Sequence, residues 1–141
     1  MIDWYKSVVF ENYANFSGRA RRSEYWYFTL MNILVAMAFV TLGVIMVTAL
    51  GMDELGIGIF VVLYALYTLA IIIPSFAVTV RRLHDLGKSG WYFLIYFIPF
   101  IGSIWLLILL CTEGESQPNQ YGPDPKNELD ELNEIGATQA Y

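Results

Sequence analysis

The chain has 141 residues, 57% of them hydrophobic and 15% charged, with a formal net charge of −5. Its eight basic and thirteen acidic residues all lie outside three uncharged runs, residues 25–52, 55–80 and 89–112. Apolar stretches longer than about 18 residues read as membrane spans, so an ordinary water-soluble domain is excluded.

The opening segment carries Ile2, Tyr5, Val9, Tyr13 and Phe16 at helical spacing, with Asp3, Lys6, Ser7, Glu11 and Asn15 on the other side. This predicts a short amphipathic helix over 1–16 that either lies in the membrane interface or packs against the protein's own spans. A secretory signal peptide is not expected, because a long mixed segment precedes a much longer apolar run. Ser17 and Gly18 then break the pattern.

The first span, about 25–50, follows Arg19, Arg21, Arg22 and Glu24 and starts with Tyr25, Trp26 and Tyr27, rings suited to headgroup depth. A turn bearing Asp53 and Glu54 leads to the second span, about 57–80, so the two are expected to be antiparallel neighbours. Pro74 removes a backbone hydrogen bond there and crowds the carbonyl of Ala70, which predicts a kink. After Arg81, Arg82, His84, Asp85 and Lys88 comes the third run, 89–112, with Pro99 and Gly102 near its middle. A kinked single crossing is the expectation; a re-entrant hairpin is the alternative, in which neither half crosses alone.

Four Lys/Arg precede the first span and three lie between the second and third runs, against none in the first connection and one, Lys126, after the third. That asymmetry puts the N-terminus in the cytoplasm, and three crossings put the C-terminus outside; a re-entrant third run returns it to the cytoplasm. Residues 113–126 are rich in turn formers, and 127–141 form an acidic tail, read either as frayed or as a short helix. The fold class is thus all-α: a polytopic membrane domain over 1–126 with three transmembrane helices and an N-terminal interfacial helix.

The segments 16–26, 81–85 with Ser89, Gly90 and Trp91, 98–102, and 119–125 carry four motifs in order. Together they resemble the YhaH-type bacterial inner-membrane proteins, the domain of unknown function family 805, over about residues 1–126. The resemblance implies a small multi-pass protein of the bacterial cytoplasmic membrane, and it brings no activity, cofactor or catalytic residue.

The chemically richest cluster is Arg19, Arg21, Arg22, Arg81, Arg82, His84 and Lys88, with Glu24 and Asp85 among them. Arginine forks bind phosphoryl groups bidentately, which makes this a candidate site for anionic lipid headgroups or a partner. The alternative is that these residues only set topology, partly neutralised by pairing with Glu24 or Asp85. Asn119, Tyr121, Gly122, Pro123, Asp124 and Pro125 form either a rigid capping turn or a binding loop.

His84 is the only histidine and Cys111 the only cysteine, so no three-His metal site, Cys-based metal site or disulfide forms within one chain. No metal or other cofactor is expected, and no nucleic-acid partner. Catalytic motifs and paired carboxylates at membrane depth are absent from the sequence, so an enzyme is not expected. The expected role is a non-enzymatic accessory protein, with membrane lipids and a homo-oligomer or membrane-protein partner in view. The alternative is a subunit of an oligomeric channel or transporter, although the runs carry only Asn32, Thr68, Ser75, Thr79 and Ser103 as candidate intramembrane polar groups.

Overall fold

The computed structural model describes residues 1–126, and the acidic tail expected over 127–141 lies outside the described residues. All of its regular elements are helical: α1 (Ile2–Lys6) running into one π-helical turn (Ser7–Glu11), α2 (Arg22–Thr48), α3 (Glu54–Asp85), a 3-10 segment (Gly90–Phe97) and α4 (Ile101–Cys111).

At 1.5 Å per residue, α2 and α3 measure roughly 40 and 48 Å, more than the roughly 30 Å hydrocarbon core. They are the two helices long and apolar enough to cross a membrane. Asp53 caps α3 by accepting a hydrogen bond from the Gly56 amide at 2.9 Å. Aromatic rings meet across the pair. Phe39 of α2 meets Phe60, Tyr64 and Tyr67 of α3 at centroid distances of 5.5, 5.2 and 6.0 Å. Gly43 permits this approach, since a Cβ there would stand 3.0 Å from the Phe60 ring.

Along the apolar runs most side chains face outward, Val40 and Leu69 more than 60% exposed. Burial is concentrated at the other end of the helix pair. There Val8, Ala20, Phe28 and Val78 form one cluster, and Leu83, Leu106 and Leu110 a second. An aqueous protein inverts this arrangement; lipid accepts it, because apolar side chains in hydrocarbon incur no hydration cost and only backbone polar groups must be satisfied internally.

α3 continues through Pro74, and the Ala70 carbonyl, which loses its helical donor to the proline, accepts from the Tyr13 hydroxyl at 2.6 Å. Thr68, Ser75 and Thr79 donate back to the carbonyls of Tyr64, Ile71 and Ser75 one turn earlier. Asn32 donates to Phe28 and accepts from the Tyr67 hydroxyl at 2.7 Å.

The N-terminal segment is helical over Ile2–Glu11, shorter than the expected 1–16, and it packs on the protein's own spans. The wider π turn places Val8 fully inside, against Ala20, Phe28 and Val78, while Tyr5 stacks on Phe28 at 5.7 Å. Phe16 falls beyond the helix and is 44% exposed.

In place of one continuous kinked helix over 89–112, the structure has two short helical segments joined by a tight turn. Pro99 supplies no amide, and Phe100 adopts φ 65 and ψ −48 while the Ile101 amide donates to the Pro99 carbonyl at 2.8 Å. That is a γ-turn, a strained conformation for a residue with a side chain. The 3-10 segment and α4 pack on each other across the break. A Cβ on Gly102 would lie 1.9 Å from the Ile95 carbonyl oxygen, so only glycine closes the hairpin this tightly. With eight and eleven residues, each arm is about 16 Å long, half of what a crossing needs. Both ends of the run sit beside the end of α3: Gly90 abuts Val80, and the Thr112 carbonyl accepts from Arg82.

Candidate functional site: a charged cap at one end of the helix pair

Where the uncharged run of α3 ends at Val80, the next five residues, Arg81 to Asp85, are all buried. They meet two distant segments, the loop ahead of α2 and the loop after α4. Asp85 is the hub. It accepts from Arg19 Nε at 2.9 Å and from the Arg82 guanidinium one helical turn back. Its backbone carbonyl also accepts from the Glu115 amide at 2.9 Å. Gly114 passes so close that a Cβ there would fall 1.9 Å from Asp85 Oδ2.

Arg19 and Arg82 spend their remaining donors on carbonyls. Arg19 Nη1 donates to Gln117 at 2.9 Å and Nη2 to Glu115. Arg82 Nε donates to Leu110 at 3.3 Å and Nη2 to Thr112, carbonyls at the C-terminus of α4 where a cation is favoured. The Ala20 amide donates to the Arg81 carbonyl at 3.0 Å, stitching the first loop to α3.

His84 and Asp85 are neighbours in sequence but do not serve one another. His84 Nδ1 lies 3.1 Å from the Gly18 carbonyl, and its ring stacks on Tyr121 at 3.8 Å and 3° between planes. Burial pushes its pKa below the ordinary imidazole value, with the Gly18 carbonyl opposing.

The loop at 119–125 folds as a turn in which Asn119 and Gly122 exchange two backbone hydrogen bonds of 3.0 Å. The Asn119 amide group donates to the His84 carbonyl at 3.0 Å, and buried Asp124 accepts from the Lys126 amide at 2.9 Å. Pro123 is exposed and Pro125 half-buried. The loop thus lies against the end of α3.

The structure divides the basic cluster in two. Arg19, Arg81, Arg82 and His84 face inward. Arg21, Arg22 and Lys88 stand on the rim: Arg21 over the Trp4 ring at 6.0 Å, Lys88 over Tyr92 at 5.6 Å, and Arg22 3.3 Å from exposed Glu113.

Arg81 differs from its buried neighbours. Its Nη1 pairs with Glu24 Oε1 at 2.7 Å, and its Nε and Nη2 have no partner among the described residues although the side chain is only 5% exposed. Burial pushes the Glu24 carboxyl above its ordinary pKa, with Arg81 opposing. A cavity of about 330 Å³ opens here, walled by Trp4, Asn12, Ser17, Arg21, Glu24 and Arg81. Trp4 and Asn12 carry no charge or motif that marks them in the sequence; the cavity exists only because α1 folds back over the start of α2.

Among the described residues no group of three His, Cys, Asp or Glu side chains is placed to hold a metal ion.

Comparison with known proteins matches this architecture to one family. Residues 13–123 match the model described as a protein of unknown function, DUF805. The chain is 46% identical over 125 residues to the inner membrane protein YhaI of Escherichia coli strain K12, covering 89% of this chain and 97% of that protein. It is 41% identical over 128 residues to the inner membrane protein YhaH of the same strain, covering 90% and 99%. No solved structure matches. With two bilayer-length apolar helices and relatives of matching length named as inner membrane proteins, the chain belongs to the DUF805 family of bacterial inner-membrane proteins.

Proposed function

We propose that the protein is a non-enzymatic accessory component of the inner membrane whose capped end faces the cytoplasm and holds anionic lipid headgroups. In this reading the N-terminus, the connection after α3 and the loop at 113–126 share the cytoplasmic side, with α2 and α3 crossing and the third run doubling back inside the bilayer. The positive-inside bias supports the orientation, because seven of the eight Lys/Arg residues precede the first span or lie between the second and third runs.

One observation carries the headgroup reading. Asp85 and backbone carbonyls satisfy Arg19 and Arg82 internally, which leaves Arg21, Arg22 and Lys88 on the rim, next to the start of the first and third apolar runs. Basic residues held there contribute about 1 kcal/mol each toward an anionic surface.

The test is lipid analysis of the purified protein in mild detergent, set beside Arg22→Gln with Lys88→Gln. Enrichment of anionic over zwitterionic lipid around the wild type, reduced roughly thirtyfold in the double variant, is the expected result; about 2 kcal/mol corresponds to that factor. Equal enrichment in both proteins overturns the reading.

A further inference from the structure

We propose that His84 and the open apolar groove beside it form a site for one uncharged lipid that bears a free hydroxyl, its O–H donated to His84 Nε2 and an acyl chain lying between α3 and the 3-10 segment. This goes beyond the headgroup reading. None of the rim cations lines the groove, so the two readings fail separately.

The first ground is the unpartnered nitrogen. The Gly18 carbonyl, 3.1 Å from His84 Nδ1, can only accept, so Nδ1 carries the hydrogen and Nε2 of the neutral ring presents a lone pair. Burial favours that neutral form. Nε2 has no hydrogen-bond partner among the described residues, in a residue that is only 9% exposed. It is not sealed in: the side-chain atoms that are both shut off and unpartnered among the described residues are Glu24 Oε1, Arg81 Nε and Arg81 Nη2. His84 Nε2 faces Gly90, where a Cβ would stand 3.6 Å away, and both residues line the groove. A buried acceptor left without a donor is costly, and a hydroxyl supplies the donor.

The second ground is the groove on which the nitrogen opens. Phe76, Val80 and His84 recur every four residues along one face of α3, so the groove extends about 12 Å down the helix from the ring. It holds about 440 Å³, within the range of small-molecule sites, and Trp91 and Leu94 of the 3-10 segment form the opposite wall. It is a half-open cleft, and Leu94 is exposed, so a chain enters sideways. Phe76 and Leu94 belong to the second and third uncharged runs, which makes the bilayer the source of the occupant. No charged side chain lines the groove, so a phosphate or an ammonium beside Nε2 goes unpaired there, whereas a hydroxyl carries no charge. Ser89, on the same wall, accepts from the Trp91 amide at 3.4 Å and keeps its own O–H for a second oxygen, such as an ester carbonyl. A diacylglycerol carries both groups.

The test compares two ligands that differ at one atom. The full chain in mild detergent is titrated, by native mass spectrometry, with dioleoylglycerol and with its methyl ether, in which a methyl group replaces the hydroxyl hydrogen. One diacylglycerol per chain is expected, bound about tenfold more tightly than the ether. His84→Phe keeps a ring against Tyr121 but offers no acceptor, and it binds the two ligands alike. Leu94→Trp narrows the groove from an exposed position and weakens both ligands about tenfold. Where His84→Phe fails to fold, the ligand pair on the wild type and Leu94→Trp still decide.

Equal affinity of the wild type for the alcohol and the ether overturns the proposal. So does a preference for the alcohol that survives in His84→Phe, or binding that Leu94→Trp leaves unchanged. A wild type that binds no diacylglycerol overturns it as well. None of these outcomes touches the headgroup reading, which Arg22→Gln with Lys88→Gln tests.

Discussion

Tyr13 donates its hydroxyl hydrogen bond to the Ala70 carbonyl at 2.6 Å, and Ala70 is the residue whose helical donor Pro74 removes. The two residues lie 57 positions apart, so the proline's missing bond is supplied by the N-terminal segment rather than by water. Tyr13→Phe leaves that carbonyl unpaired within the second apolar run and is expected to destabilise the protein by about 1–3 kcal/mol. Thermal unfolding in detergent measures this; a neutral effect shows that solvent or lipid headgroups replace the hydroxyl.

Among the described residues Asp85 is the carboxylate that compensates Arg19 and Arg82 together. Asp85→Ala strands two buried guanidinium groups and is expected to destabilise the protein by about 3–5 kcal/mol. Glu113→Gln, which breaks exposed pairs with Arg22 and Lys126, is expected to change nothing measurable. A cycle with Arg19→Gln yields less than additive losses if the network is shared as described.

The hairpin tip makes two predictions of opposite sign. Gly102→Ala drives a Cβ into the Ile95 carbonyl and is expected to lower stability by about 1–3 kcal/mol, whereas Gly58→Ala meets open space and is tolerated. Phe100 is 91% exposed with φ 65, so Phe100→Gly relieves strain without losing packing and raises stability by about 1 kcal/mol. Unfolding midpoints of the three variants check both signs, and the reverse order rules out the γ-turn.

His84 predicts a dependence on pH. Burial lowers its folded-state pKa below the unfolded value of 6.5, so folding favours the neutral ring. Its contribution is complete above 6.5 and is lost as pH falls through that value toward the folded one. Glu24 acts in the opposite sense: its raised pKa gives a contribution present below 4.5 and lost as pH rises through its folded value. Comparison with His84→Gln isolates the first effect. The stability advantage of the wild type over that variant is expected to shrink between about pH 7 and about pH 5.5, and a constant difference contradicts the assignment.

Much of this fold is legible in the sequence, because the bilayer imposes a length and a composition that the first two apolar runs meet. The crowding of charge into residues 19–24 and 81–88 likewise marks the capped end. The pairing is not legible: which carboxylate serves which arginine is decided by contacts between positions 66 and 96 residues apart, such as Arg19 with Asp85 and with the Glu115 carbonyl. The third run misleads for a physical reason. Its hydropathy matches a crossing, and only the combination of Pro99, the turn at Phe100 and the bare backbone of Gly102 turns it back. The cavity beside Arg81 depends on Trp4 and Asn12, supplied by an N-terminal segment whose pattern suits the membrane surface and the protein's own spans alike.

The third run doubles back in this account, so that the segments before α2, after α3 and after α4 close one cap on the cytoplasmic side. Paired fusions of green fluorescent protein and alkaline phosphatase after Tyr141 test it most directly. Two crossings with a cytoplasmic N-terminus predict a fluorescent first fusion and an inactive second one. An active phosphatase with a dark fluorescent fusion contradicts the account, because it puts the loop that pairs with Arg19 and Asp85 on the far side of the membrane.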